Sequence, residues 1–506
     1  MKCKINKQTI ENMSFEECEL AILRQAIDKA EYKEGRKKLN NPEIKEIIKI
    51  VEDFLRVKKR ICYGGTAINN ILPEQDQFYD KEIELPDYDF FSPDPLNDAK
   101  TLADIYFKKG FDEVEAKAGA HAGTFKVFVN FIPVADITFL VPKLYKSLMK
   151  KSITIGGIYY SPPNYLRMLM YLELSRPAGN ISRWEKVLKR IILLNKNYPL
   201  KGKDCEFIEI QRIIDPKSKL TKKIQEKIFD VTRDSFISQG LVFFGAMANE
   251  MYLKHLRNLK KNLLPKIPDF DVLSTEPQQS AIILKERLKS EGIENITIKK
   301  HEGIGEIIAP HYEVKVLGET IAFIYEPLAC HSYNLIYKNK RKIKIATIDT
   351  MLSFYLAFLY VDKEYYDPNR IICMAEYLFK VQQANRLEQK GILRRFSVNC
   401  YGNQLTMEKM REEKAVKYKE LKNKRGSKEW DWYFYKYLPF DEYLKKERKK
   451  SKRKTTRTTK MAKTAKTART AKTARRDRAT RTNRMTRKTT KKRKKKVKSD
   501  LPKIFL

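Results

Sequence analysis

One eight-residue pattern occurs twice in this chain. Leu85-Pro86-Asp87-Tyr88-Asp89-Phe90-Phe91-Ser92 aligns with Ile267-Pro268-Asp269-Phe270-Asp271-Val272-Leu273-Ser274, 182 positions later. A glycine turn precedes each copy: Tyr63-Gly64-Gly65-Thr66-Ala67-Ile68-Asn69 and Phe244-Gly245-Ala246-Met247-Ala248-Asn249, 181 apart. Helical stretches beginning near Tyr165 and Asp349, each with a Met-Leu and a Tyr-Leu, differ by a similar 183 (Met168 to Met351). One long period shared by three features means a duplicated domain, not a solenoid of short repeats. The 506 residues are therefore expected to hold two copies of one mixed α+β unit.

Copy one carries the fuller chemistry. The short apolar strand Ile61-Cys62-Tyr63 runs into Gly64 and Gly65 and then a helix. Two glycines let the backbone approach a ligand, and the helix N-terminus behind them suits phosphate. Alone, such a turn is equally an ordinary tight connection. In a strand, Asp87 and Asp89 share one face while Tyr88 and Phe90 face the core. Two adjacent carboxylates repel and favour a hard cation such as Mg²⁺ or Mn²⁺. Asp136, in Val134-Ala135-Asp136-Ile137-Thr138, is a lone carboxylate in an apolar strand, either a ligand or an edge residue facing water. Arg183, Lys186 and Lys189 (or Arg190) fall at helical spacing as a basic stripe, either a solvated face or a contact for triphosphate or RNA. Tyr159, Tyr160 and Tyr165 are available for base stacking or for packing, and His121 lies in a glycine-rich loop. No Walker A lysine motif is present.

Gly-Gly, then D-x-D, then a strand Asp, in this order and spacing, resembles the DNA polymerase β-type nucleotidyltransferase superfamily. The segment Leu172-Glu173-Leu174-Ser175-Arg176-Pro177, running on to Ser182-Arg183-Trp184-Glu185-Lys186-Val187, is similar to poxvirus-type poly(A) polymerase catalytic subunits. More closely, the chain resembles the poly(A) polymerases of large cytoplasmic DNA viruses, over about residues 60–195. The resemblance implies two-metal transfer of AMP from ATP to RNA 3′ ends, without a template. Asp87, Asp89 and Asp136 would be catalytic and hold the metals. Gly64, Gly65, Thr66 and Asn69 would bind the nucleotide, with Arg183 and Lys186 added from the basic stripe. A CCA-adding enzyme, a uridylyltransferase and a non-catalytic RNA-binding or processivity subunit remain open. The viral likeness also implies action in the host cytoplasm, at the viral factory, and packaging into the virion.

Copy two is expected to be degenerate. Its second glycine is Ala246, and Ile321-Ala322-Phe323-Ile324 puts Phe323 where Asp136 stands. The fold class implied is α+β, with tandem polymerase β-like nucleotidyltransferase domains, the first active and the second degenerate. The partition is N-terminal helices over 1–60, a catalytic domain over 61–195, a second inactive domain with C-terminal helices over 196–444, and a tail over 445–506.

Charge supports polyanion partners. Lys and Arg number 103 against 63 Asp and Glu, a net +40. The tail alone holds 29 basic and 3 acidic residues and repeats Ala-Lys-Thr triplets, a composition expected to be disordered and to bind RNA or another polyanion. The body keeps 74 basic against 60 acidic residues. No apolar run is long enough to span a membrane. Seven scattered cysteines, odd in number and without C-x-x-C spacing, argue for a reducing compartment with neither a disulfide frame nor a cysteine zinc site. A homodimer would supply an RNA track that a single copy lacks.

Overall fold

The computed structural model describes residues 3–5, 8–10, 14–80, 84–208, 220–256, 270–338, 340–361, 363, 365–385 and 388–448. The tail beyond 448 and Asp269 of the second pattern lie outside the described residues. Two compact units result, Met1–Phe440 and Asp441–Leu506. Of the second unit, residues 441–448 are described and include a Glu442–Lys445 ion pair at 2.9 Å.

After a short hairpin of β1 (Cys3–Ile5) and β2 (Gln8–Ile10), helix α1 spans Phe15–Leu39. Its start is a reciprocal capping box: Ser14 N–H donates to Glu17 Oε2 at 2.8 Å and Glu17 N–H to Ser14 Oγ at 3.1 Å. Helix α2 (Pro42–Lys58) is capped by Asn41, which accepts from Glu43 N–H, and ends at Lys59 in the left-handed region. Its buried stripe is Ile44, Ile47, Ile50, Val51, Phe54 and Leu55, at helical spacing.

The first sheet uses β3 (Ile61–Tyr63), β4 (Tyr88–Ser92), β5 (Val114–Ala118), β6 (Thr124–Val129), β7 (Ile132–Phe139), β8 (Ile153–Ile155) and β9 (Ile158–Tyr160). The second uses β10 (Val242–Phe243), β11 (Phe270–Leu273), β12 (Ile296–His301), β13 (His311–Val316), β14 (Glu319–Tyr325), β15 (His331–Lys338), β16 (Arg341–Ala346) and β17 (Cys400–Tyr401). Their orders match position for position: β5-β6-β7-β4-β3-β9-β8 and β12-β13-β14-β11-β10-β16-β15. Pair directions match as well. β4 runs parallel to β7 as β11 does to β14, β3 to β9 as β10 to β16, and β3 is antiparallel to β4 as β10 is to β11. The duplication read in the sequence is thus repeated strand by strand.

Helix α3 (Gly64–Ile71) follows the first glycine turn, and α4 (Pro95–Lys108) packs behind β5, β6 and β7. After α5 (Pro142–Lys151) come α6 (Pro163–Leu174) and α7 (Trp184–Asn197). The second copy supplies α8 (Lys222–Ser238), α9 (Ala246–Leu253), α10 (Pro277–Ser290), α11 (Ile348–Phe358) and α12 (Pro368–Ala384). The repeated helices α6 and α11 pack on each other, with the Tyr165 and Tyr360 rings 5.1 Å apart edge to face. Ser332 N–H adds a 2.7 Å bond to Ser175 O across the same seam.

Two observations depart from the sequence reading. Helices α13 (Met407–Leu421) and α14 (Lys428–Phe434) lead into β18 (Lys436–Tyr437), which pairs with β5. The sequence placed these residues with the second copy; strand pairing joins them to the first sheet, where they satisfy an otherwise open edge. Trp432 then packs on Phe125 and Phe139 and lies against Gly123, beneath the exposed His121 loop. The cysteines also pair, against expectation. Cys205–Cys373 and Cys330–Cys400 form disulfides with Cα atoms 5.3 and 5.1 Å apart, Cys18 is disulfide-bonded too, and Cys62 is the buried free thiol. Partners 168 and 70 residues apart leave no local spacing to read, which is why the scattered pattern concealed them.

Candidate active site

The site is assembled where β3 ends and β4 begins. Tyr63 is opposite Asp89 in the antiparallel β3–β4 pair, and Asp89 is opposite Asp136 in the parallel β4–β7 pair. Two of the predicted carboxylates, 47 positions apart in the sequence, therefore lie side by side on one sheet face. Asp87 sits just before β4; its charge raises Asp89, and it is itself raised by the charge of Asp136. Tyr88 and Phe90, on the alternate face, are buried with Phe54 of α2. Alternation thus puts Asp89 on one face and Tyr88 and Phe90 on the other, whereas Asp87, expected within the strand, lies just before it.

Burial and crowding set the electrostatics. Asp89 is pushed up to about 7 by desolvation first, then by the negative charges of Asp87 and Asp136, while Lys126 and Arg183 pull it down. Asp87 is raised by the same desolvation and by Asp136, again opposed by Lys126. Lys126 is opposite Asp136 on β6, and its Nζ donates to Asp136 Oδ2. Among the described residues, no three His, Cys, Asp or Glu side chains form a closed cage for a metal as they stand; Asp136 is held by Lys126 instead. The donor set still fits a hard divalent cation. Three oxygen-donor carboxylates gather here, and Asp87 and Asp89 are held above their ordinary range by burial first and then by repulsion that a cation would relieve.

The glycine turn explains itself at this point. Gly64 has φ +75°, and a Cβ there would run into the Asp89 carboxylate. Gly65 leaves room for the Tyr79 hydroxyl and the Arg190 guanidinium, into which its Cβ would project. Thr66 Oγ1 donates to Asp87 O at 2.6 Å, tying the start of α3 to the D-x-D loop. Asn69 is buried, and its Oδ1 accepts from Phe78 and Tyr79 N–H at 2.8 and 2.9 Å. Its side-chain oxygen therefore shapes the adjoining loop.

The basic stripe is divided by the fold. Arg183 closes a short 3-10 turn (Ile181–Arg183), pairs with Glu173 at 3.2 Å and acts on Asp89. Lys186 is exposed, and Lys189 pairs with Glu185 on the helix surface at 2.6 Å. Arg190 is the stripe's buried member: Nη2 donates to Tyr79 Oη at 2.7 Å, and the guanidinium lies over the Phe78 ring. Among the tyrosines, Tyr160 and Tyr165 are buried as packing residues, while Tyr159 is half-buried. Tyr63, its ring stacked on Phe91 at 4.0 Å and its hydroxyl 2.9 Å from Thr138 Oγ1, is an aromatic member of the site face that the motifs did not mark. Lys126 was missed as well. Its signal was the alternation Phe125, Val127, Val129, which leaves Lys126 on the face that Asp136 shares.

The second copy repeats this arrangement with its chemistry removed. Gly245 has φ +74°, and its Cβ would strike the Asp271 side chain, as Gly64 meets Asp89. Asp271 is opposite Phe323, and Phe323 is opposite Glu313, in the positions of Asp136 and Lys126. Glu313 is engaged by His301 Nε2 at 2.8 Å and Thr320 Oγ1 at 2.6 Å.

Residues 49–180 match the profile of the family described as poly(A) polymerase catalytic subunit. Over this segment the chain is similar to the poly(A) polymerase catalytic-subunit family. Poly(A) polymerases are polynucleotide adenylyltransferases, so the family is one of enzymes. A mimivirus protein (Acanthamoeba polyphaga mimivirus) bearing that subunit's name is 24% identical over 411 residues, covering 73% of this chain and 69% of its own length. An African swine fever virus protein of the same name is 33% identical over 171 residues, 33% of this chain. The match spans about a third (36%) of that relative's length. The solved structure of the Megavirus polyadenylate synthase is similar in fold, with a TM-score of 0.71 at 22% identity over 86% of this chain and 88% of the other. The glycine turn and the three carboxylates thus lie within the family match, and the doubled sheet within the fold likeness.

Proposed function

We propose that the chain is a template-independent poly(A) polymerase that transfers AMP from ATP to RNA 3′ ends. The observation that carries this reading is the register pairing of Asp89 with Asp136, with Asp87 alongside and the Gly64 turn against them. In the reaction, the 3′-oxygen bonds to the α-phosphorus of ATP, the bond to the β-phosphate bridging oxygen breaks, and pyrophosphate leaves. Asp87, Asp89 and Asp136 would hold Mg²⁺ or Mn²⁺, which when bound supplies positive charge to the attacking and leaving oxygens. Asp136 is assigned to the primer end and takes the hydroxyl proton, and Lys126 positions its carboxylate. Gly64, Gly65 and Thr66 leave backbone N–H groups at the start of α3 open to phosphate. Asn69 holds the Phe78–Tyr79 wall, and Arg183 and Lys186 offer charge to the triphosphate or RNA.

The domain partition belongs to the same proposal: helices over 1–60, catalysis over 61–195, a degenerate copy with C-terminal helices over 196–444, whose last strand pairs back with the first sheet, and a basic tail that binds RNA or another polyanion. So do homodimerisation and action in the host cytoplasm, at the viral factory, with packaging into the virion.

The test is primer extension by the purified full chain with Mg²⁺ or Mn²⁺, a short RNA and each of the four nucleotides separately. Extension with ATP alone is expected, and its loss in Asp87→Ala and Asp136→Ala. Preference for CTP or UTP would make it a CCA-adding enzyme or uridylyltransferase. No extension at all would leave an RNA-binding or processivity subunit. Light scattering that gives a monomer at micromolar concentration removes the dimer.

A further inference from the structure

Arg176 follows the end of α6, in the motif Leu172-Glu173-Leu174-Ser175-Arg176-Pro177, where the two copies meet. Its neighbour Ser175 accepts from Ser332 N–H of β15, and its own charge reaches the buried His331 at the start of that strand. Burial pushes the guanidinium down to about 10. Yet among the described residues no acceptor takes a guanidinium N–H of Arg176, and no carboxylate forms an ion pair with it. Nε is fully enclosed and unpartnered. The side chain as a whole is only half-buried, and Nη1 and Nη2 stay open to solvent. Other enclosed arginines are answered: Arg60 by Asp98, Arg167 by Asn195 and Arg395 by Asp349. A desolvated cation without a partner is costly, and an anion that reaches it offsets that cost.

Charge at this seam is unbalanced. Glu173 is raised by burial first, against the pull of Arg183, Arg176 and Arg190, and it pairs with Arg183 at 3.2 Å. Arg183 acts in turn on Asp89, and Arg190 lies 3.0 Å from the place a Cβ at Gly65 would take. Glu306, exposed on the loop before β13, also acts on Arg176. Three guanidinium groups around two carboxylates leave a positive excess beside the glycine turn, and Arg176 is the one without a partner. We propose that Arg176 binds a phosphate group of the polymerase's substrates, with Nη1 and Nη2 donating to its oxygens and β15 of the second copy fixing its place. The inference rests on the polymerase reading above. The guanidinium fork matches phosphate geometry. The chemistry is the same for the triphosphate of ATP and for the backbone of the RNA primer, and the experiment separates the two.

The full chain is compared with Arg176→Gln and Arg176→Lys, with ATP and a short RNA primer titrated separately in extension. Arg176→Gln should raise KM for at least one of them about tenfold or more, and Arg176→Lys by less. A rise for ATP, with loss of the thermal shift that ATP and Mg²⁺ give the wild type, assigns the triphosphate. A rise for the primer, with a salt dependence of oligoadenylate affinity shallower by about 0.7 in log–log slope, assigns the RNA backbone. If Arg176→Gln fails to fold, Arg176→Lys decides, because one ammonium does not replace the fork. Unchanged KM for both substrates in the variant that folds, or a fall in kcat with both binding readouts intact, overturns the proposal and leaves Arg176 a packing residue. A wild-type chain that binds ATP and RNA but extends no primer sinks the polymerase reading, and the thermal shift and salt slope then judge Arg176 by themselves. A wild-type chain that binds neither overturns both.

Discussion

Phe323 holds, in the second sheet, the register position that Asp136 holds in the first. Asp89 lies opposite Asp136 across the parallel β4–β7 pair, and Asp271 lies opposite Phe323 across β11–β14. The neighbouring strand has changed in step: Lys126 is opposite Asp136, whereas Glu313 is opposite Phe323. The second copy has therefore lost both the acid and its counter-cation. Glu313 now answers to His301 and Thr320, and Phe323 packs with the His311 and Tyr365 rings.

Restoring the carboxylate alone should do harm. Phe323→Asp would place an ion in a fully buried aromatic cluster beside Glu313, with no cation opposite. A loss of roughly 3–5 kcal/mol in stability is expected, with no gain in primer extension. Adding Glu313→Lys should recover part of the loss. Urea midpoints of the two variants measure this, and an unchanged midpoint in Phe323→Asp would contradict the packing account.

Asp89 links stability to pH in an unusual direction. Its carboxyl is raised from 3.8 to about 7, so the folded chain keeps a proton that the unfolded chain releases. Between about pH 4 and 7 the native state binds more protons, and stability contributed by this group falls as pH rises. Above pH 7 the loss is complete. Without divalent ions, Asp89→Asn should thus be more stable than wild type at pH 8, on the order of 2–4 kcal/mol, and equal to it near pH 4. Extension should be abolished in the same variant, and in wild type should climb from pH 6 to 8 as the carboxylate ionises. Denaturant titrations in EDTA at both pH values decide it; a destabilised Asp89→Asn at pH 8 would mean that the buried charge is compensated.

Lys126 lowers both Asp87 and Asp89 through its charge. Lys126→Met removes that influence and lets both carboxyls rise further. The acid limb of the extension rate against pH should shift upward. A limb that stays in place, with only the maximum rate reduced, would give Lys126 a purely steric role.

Much of this site could be read from spacing, because period-two alternation fixes which face Asp87, Asp89 and Asp136 occupy, and an offset near 182 needs no structure to see. What escaped was set by register and by distant contacts. Alternation puts Lys126 on the right face of β6, but which residue of that face meets Asp136 depends on a hairpin that carries a bulge after Val127, so its partner had no sequence address. Arg183, Lys186 and Arg190 look alike at helical spacing; burial against Phe78 and Tyr79 singles out Arg190, and that loop is held by Asn69 from the far side of the turn. The return of β18 to β5 rests on a two-residue strand with no periodic signal.

Cysteine pairing gives the remaining test, because the scattered spacing argued for free thiols. Cys205–Cys373 closes a loop of 168 residues and Cys330–Cys400 one of 70. Cross-links of that span restrict the unfolded chain by about 4–5 kcal/mol each in the chain-entropy account. Alkylation of the unreduced, denatured chain should label Cys62 and spare Cys205, Cys330, Cys373 and Cys400. Prior reduction should expose those four and lower the thermal midpoint by several degrees or more. Full alkylation without reductant would show that the four thiols remain apart, and the second sheet would then stand on its packing alone.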